Sequence, residues 1–191
     1  MEEISKKVAI HLATEALKGY LRDGIPAQVD KGELIKQVGP NSVLFQDRGC
    51  FVTLKTSDDV LRGCVGTIVS EDPLYQNIME NAISAGCKDN RFNPVTFDEV
   101  QTLKFEISVM GPLQRVHSLD EIRVGVHGLI MIQGDAQGLL LPQVATEWGW
   151  DRETLLKQTC IKAGLPEEAY KDSNTEIFSF SAEIFCEDDV E

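Results

Sequence analysis

Arg62 and Cys64 stand two residues apart in the run Leu61-Arg62-Gly63-Cys64-Val65-Gly66-Thr67, where residue types and spacing could do chemistry. Residues two apart on an extended strand point to the same face. If the run is a strand, a guanidinium and a thiol share one side while Leu61 and Val65 line the other. A neighbouring cation favours the thiolate, the nucleophilic and metal-binding form of cysteine. Gly66 is expected to leave that side uncovered, so that a ligand could approach the sulfur. The same residues also support a structural reading. Gly63 and Gly66 would then permit a tight turn or bulge, Cys64 would be a small filler, and Arg62 would pair with a carboxylate.

Further candidates lie downstream. His127, between Gly125 and Gly128 in what reads as the start of a strand, has little side-chain cover and could serve Cys64 as a base, as in other Cys/His arrangements. Glu106 falls on the polar face of an alternating strand over residues 103–109 and could orient that histidine. Arg91 and Gln143 could fix a substrate, although Asp89, two residues before Arg91, also suggests a local salt bridge. Spacing places only Arg62 and Cys64 together; the others need the fold to converge them. Cys50, Cys87 and Cys160 read as structural, and Cys186 is assigned to the apolar face of a last strand. The histidines at 11, 117 and 127 show no metal-ligand spacing. No metal site and no cofactor is expected.

Ile4, Val8, Leu12 and Leu17 recur at helical spacing until Gly24-Ile25-Pro26. Residues 27–42 read as a polar connection with one helical turn near Glu33-Leu34-Ile35. Strands over 50–54 and 60–69 flank the turn signal Ser57-Asp58-Asp59 and predict a β-hairpin. Asp72 as N-cap and Pro73 at the first position open a helix carrying Leu74, Ile78, Ala82 and Ala85. A hairpin around Gly134–Gly138, a short helix from Pro142 and a helix capped by Asp151 follow. One long strand from Phe178 to Cys186 closes the pattern, its apolar face made by Phe178, Phe180, Ala182, Ile184 and Cys186. Mainly antiparallel strands with packed helices, and no regular βαβ alternation, define an α+β fold. The chain reads as a single domain over 1–191, divisible into two lobes with a cleft between them.

Composition limits the function classes. The 191 residues are 42% hydrophobic and carry 31 acidic against 18 basic side chains, a net charge of −13. That field opposes nucleic acid and anionic membranes, which require clustered Lys and Arg. No apolar run approaches the ~20 residues of a membrane span, and no secretory leader is evident. A cytoplasmic protein is expected.

The segment LRGCVGT at 61–67 resembles the LRGCIGT signature of the AMMECR family. The remaining motifs agree in order: Asp89–Val95 is similar to its DxRFxPV element, followed by Val126-His127-Gly128-Leu129, Gly138–Ala145, Gly149-Trp150-Asp151 and Lys162–Pro166. The match is strongest over 45–187. Val65 replaces isoleucine, and Asn93 stands where proline is common. The resemblance implies a two-subdomain α+β fold with the signature near an interdomain cleft, and an association with Memo-like and radical-SAM proteins. No CxxxCxxC triad occurs, so this chain would not itself be the radical-SAM component.

Two functions remain open at this point. One is a cysteine-dependent enzyme or redox component built on Cys64. The other is a non-catalytic ligand-binding or adaptor module for those partners, which needs no ionised thiol.

Overall fold

The computed structural model describes residues 1–189. It divides into two compact units: Met1–Met110 with the chain from Glu183 onward, and Gly111–Ala182. Each unit is organised around one antiparallel four-stranded sheet.

In the first unit α1 (Glu3–Asp23) ends where Gly24 adopts φ +70° and donates its N–H to the Tyr20 carbonyl. Its inner face is built largely of small residues, Ala9, Ala13 and Ala16 beside Leu17, which lets α3 (Leu74–Cys87) lie close. The polar connection contains a full helix, α2 (Lys31–Val38), rather than a single turn. Asp30 caps it by accepting from the Gly32 and Glu33 amides, and Leu34 and Val38 bury one face four residues apart. The predicted cap of α3 shifts by one position. Pro73 itself occupies the N-cap with extended backbone and no side-chain cap, because the Leu74 amide is taken by the Gln46 carbonyl.

The hairpin is present as β1 (Cys50–Lys55) and β2 (Leu61–Thr67). Together with β3 (Lys104–Met110) and β8 (Ala182–Cys186) it forms a sheet of order β2-β1-β3-β8, leaving β2 at an edge. Cys50, Val52 and Leu54 alternate into the core with Phe105, Ile107 and Val109. Residues 99–102 form a short 3-10 turn.

The second unit has sheet order β4 (Gln114–Arg115), β7 (Glu176–Phe180), β5 (Gly128–Gln133) and β6 (Ala136–Leu140). Helices α4 (Pro142–Glu147) and α5 (Arg152–Lys162) accompany it, and Leu129, Met131, Leu155, Leu156, Cys160 and Ile177 make its core. Two expectations are corrected here. Residues 123–127 form a turn, so His127 precedes its strand instead of lying in it. The predicted last strand is two, broken at Ser181: β7 pairs in the second sheet and β8 in the first. The predicted apolar face does not hold: Ile177, Ser179 and Phe180 are buried before the break and Phe185 after it, whereas Phe178 and Cys186 are half-buried and Ile184 is exposed. The two stretches serve separate cores, Ile177 that of the second unit and Phe185 that of the first, and period-2 alternation alone cannot register such a change of sheet.

Gly63 fixes how α3 lies on β2. A Cβ at this position would stand 2.2 Å from the Ala85 carbonyl oxygen. Backbone crowding of this kind costs about 1–3 kcal/mol, so Gly63→Ala is expected to lower the midpoint of urea unfolding accordingly. An unchanged midpoint would show that β2 does not press on the α3 backbone.

Candidate functional site

With Gly63 turned to α3, Arg62, Cys64 and Gly66 take the other face of β2. Gly66 does not leave that face open. Phe51 stands opposite it in β1, and a Cβ on Gly66 would lie 2.3 Å from the Phe51 ring. The glycine makes room for an aromatic side chain of the protein itself, which corrects the expected free approach to the sulfur.

Cys64 is half-buried. Its Sγ accepts a hydrogen bond from Thr53 Oγ1 at 3.3 Å, across the β1–β2 pairing. Its backbone groups are engaged on the side away from β1: the N–H donates to Asp89 Oδ2 at 2.9 Å, and the carbonyl accepts from Arg91 Nη2 at 3.4 Å. Asp89 and Arg91 are themselves joined by two side-chain hydrogen bonds of 2.9 and 2.7 Å. Two residues just past the end of α3 thus answer the edge of the sheet with side chains in place of a neighbouring strand. The local salt bridge read from the sequence is present and has this second task.

Arg62 is committed as well. Its Nε and Nη2 donate to Glu99 at 2.5 and 3.1 Å, and its Nη1 to the Asn93 carbonyl at 2.9 Å. The guanidinium holds the Glu99 carboxyl below its usual range, chiefly through these hydrogen bonds. Glu106 shares the face of Cys64. Thr53 opposes Cys64 on one side and Glu106 on the other, so the three form a row across β2, β1 and β3. Two strand spacings separate the ends of that row by roughly 10 Å. The Glu106 carboxylate is instead paired with Lys55 Nζ at 2.7 Å, and that pairing, with Glu106 as the leading cause, raises the lysine pKa.

His127 and Gln143 belong to the second unit. His127 Nδ1 accepts from the Arg123 amide at 3.4 Å, which closes its own turn. Gln143 lies in the first turn of α4, with its Oε1 buried and without a hydrogen-bond partner among the described residues. Among the described residues no three His, Cys, Asp or Glu side chains gather as a metal-ligand set, and no helix is long and apolar enough to cross a membrane. Thr53 and Glu99, which contact Cys64 and Arg62, were not legible from spacing. A register shift between Leu54 and Lys55, beside Asp59 at φ +61°, prevents the hairpin register from being counted out from the turn.

The Asp89–Arg91 fork makes a measurable prediction. Hydrogen bonding by Arg91, foremost, holds the Asp89 carboxyl well below the carboxylate range, reinforced by the Cys64 and Arg91 amides. A depressed folded-state pKa contributes stability above the unfolded value of about 3.9, and this is lost as pH falls through the folded value. Asp89→Asn should therefore destabilise the first unit by about 1–3 kcal/mol at neutral pH, with the gap from the parent narrowing only below about pH 4. Urea melts across pH read it; no gap at pH 7, or one already closed at about pH 6, would remove the fork from the stability of the edge.

The AMMECR1 family profile matches residues 10–185. A protein of Methanothermobacter thermautotrophicus is 48% identical over 152 residues, 76% of this chain and 79% of that one. A Pyrococcus furiosus protein is 39% identical over 188 residues, 94% of this chain and 86% of its own length. The crystal structure of an uncharacterised protein from Pyrococcus horikoshii superposes with a TM-score of 0.83 at 37% identity, covering 94% of this chain and 90% of that one. It agrees with the α+β architecture of two antiparallel sheets with packed helices. On these grounds the chain belongs to the AMMECR1 family.

Proposed function

We propose that this protein is a non-catalytic binding or adaptor module whose signature segment supports a recognition surface centred on Arg91. The observation that carries this reading is how the charges around Cys64 are used. Arg62 is held by Glu99 and Asn93, and Glu106 by Lys55, while Arg91 is fixed by Asp89 yet remains 57% exposed. Its guanidinium also lies over the Phe92 ring, 5.5 Å from the centroid. A guanidinium fixed at Nε and Nη2 keeps its Nη1 donors for an external carboxylate or carbonyl, at little ordering cost. Memo-like and radical-SAM proteins, the class that the family resemblance implies, are the partners we assign to this surface, in a cytoplasmic setting.

A cysteine-dependent enzyme or redox component is the second reading, with Cys64 as its nucleophile or redox thiol. The Thr53 hydroxyl directed at the Cys64 sulfur favours it.

Capture of a purified Memo-like or radical-SAM protein by the full chain, read together with complementation of a deletion strain, separates the two. Under the binding reading, Cys64→Ala keeps capture within about twofold, whereas Arg91→Ala weakens it by about tenfold and Arg91→Lys does not restore it. If Cys64→Ala leaves capture intact but abolishes complementation of a deletion strain, the thiol does chemistry and the second reading holds.

A further inference from the structure

The second unit exposes a built aromatic surface at the end of its first helix. Helix α4 ends in a full Schellman arrangement: the Gly149 amide donates to the Thr146 carbonyl, the Trp150 amide to the Ala145 carbonyl at 2.8 Å, and Gly149 takes φ +63°. This turn brings Trp150 back under Trp148. The two indoles stack with centroids 6.3 Å apart and planes 21° from parallel. Trp150 is half-buried against the core of the unit, whereas Trp148 is 71% exposed. The outer indole is thus held in place by an anchored one and offers a face to solvent.

Charge says what suits that face. Indole is the strongest cation–π acceptor among side chains. Glu147 and Asp151, both exposed, flank the Trp-Gly-Trp run, and the molecule carries −13 overall. A negative field attracts cations and repels anionic ring ligands such as nucleotides. Trp and Arg are also the residues that dominate protein interfaces. We propose that the Trp148–Trp150 pair is a docking platform for a cationic segment of a partner protein, one arginine of which stacks on Trp148 beside Glu147. This site is independent of the Arg91 surface and stands or falls separately.

The protein has two tryptophans, so its indole fluorescence reports on this platform alone. The probe is an acetylated hexa-arginine peptide, dye-labelled for anisotropy and unlabelled for indole fluorescence, tested with the full chain. Saturable binding with a change in indole emission is expected. Trp148→Ala should weaken binding about five- to tenfold, and Trp148→Phe, which keeps an aromatic face, should fall between that variant and the parent. Glu147→Gln should cost about twofold and reduce the salt dependence. Hexa-glutamate and a Gly-Ser peptide should not bind. Equal affinity of Trp148→Ala and the parent would reduce the attraction to net charge and overturn the proposal. So would the absence of binding, a Trp148→Phe variant no better than Trp148→Ala, or emission changes caused by a neutral oligosaccharide or a nucleoside monophosphate and not by the arginine peptide.

Discussion

Asp89 and Arg91 stand where another strand would otherwise be, the carboxylate taking the Cys64 N–H and the guanidinium meeting its carbonyl. An edge strand presents such groups to any chain able to pair with them. Here the pairing is supplied internally, by side chains two residues apart and locked to each other. The cap ties the end of α3 to the middle of β2. Arg62 does the same one pleat along, reaching Asn93 and Glu99. The two motifs that stand out in the sequence, 61–67 and 89–95, are therefore two halves of one joint, and each explains the residue types of the other.

That joint changes how the cysteine is understood. Proximity in sequence to a cation suggested activation of the thiol, yet a guanidinium already neutralised by a carboxylate carries little field beyond its partner. Lys55 and Glu106 repeat the arrangement on the neighbouring strands. The polar face of this sheet is a set of closed charge pairs, with the sulfur set among them and bonded to a neutral hydroxyl. Such a face is stiff and well suited to holding a protruding group in one orientation, which is the property a recognition surface needs.

Much of this was legible beforehand. Helix α1, the hairpin, α5 with its Asp151 cap and the Asp89–Arg91 pair all rest on local patterns: apolar spacing, turn residues, a capping carboxylate. What escaped were features set by tertiary context. Gly66 looks like an opening until Phe51 is placed opposite it. His127 sits in apolar surroundings that resemble a strand, but its ring nitrogen closes a turn with the Arg123 amide. The alternating run ending at Cys186 has strand character throughout, and only the change of sheet at Ser181 reveals that it serves two cores.

The break at Ser181 bears on how the molecule is made. The first unit is discontinuous in sequence: its fourth strand, β8, follows the whole of the second unit. On a ribosome, α1, α3 and the hairpin emerge early, but β3 keeps an unanswered edge while the next seventy or so residues are synthesised. The unit made second can close its sheet first. Domains ordinarily fold in the order of their synthesis, and this chain inverts that order for its last strand. The interval in which β3 waits for residues 182–186 is the time at which the nascent chain is most open to pairing with a strand that is not its own.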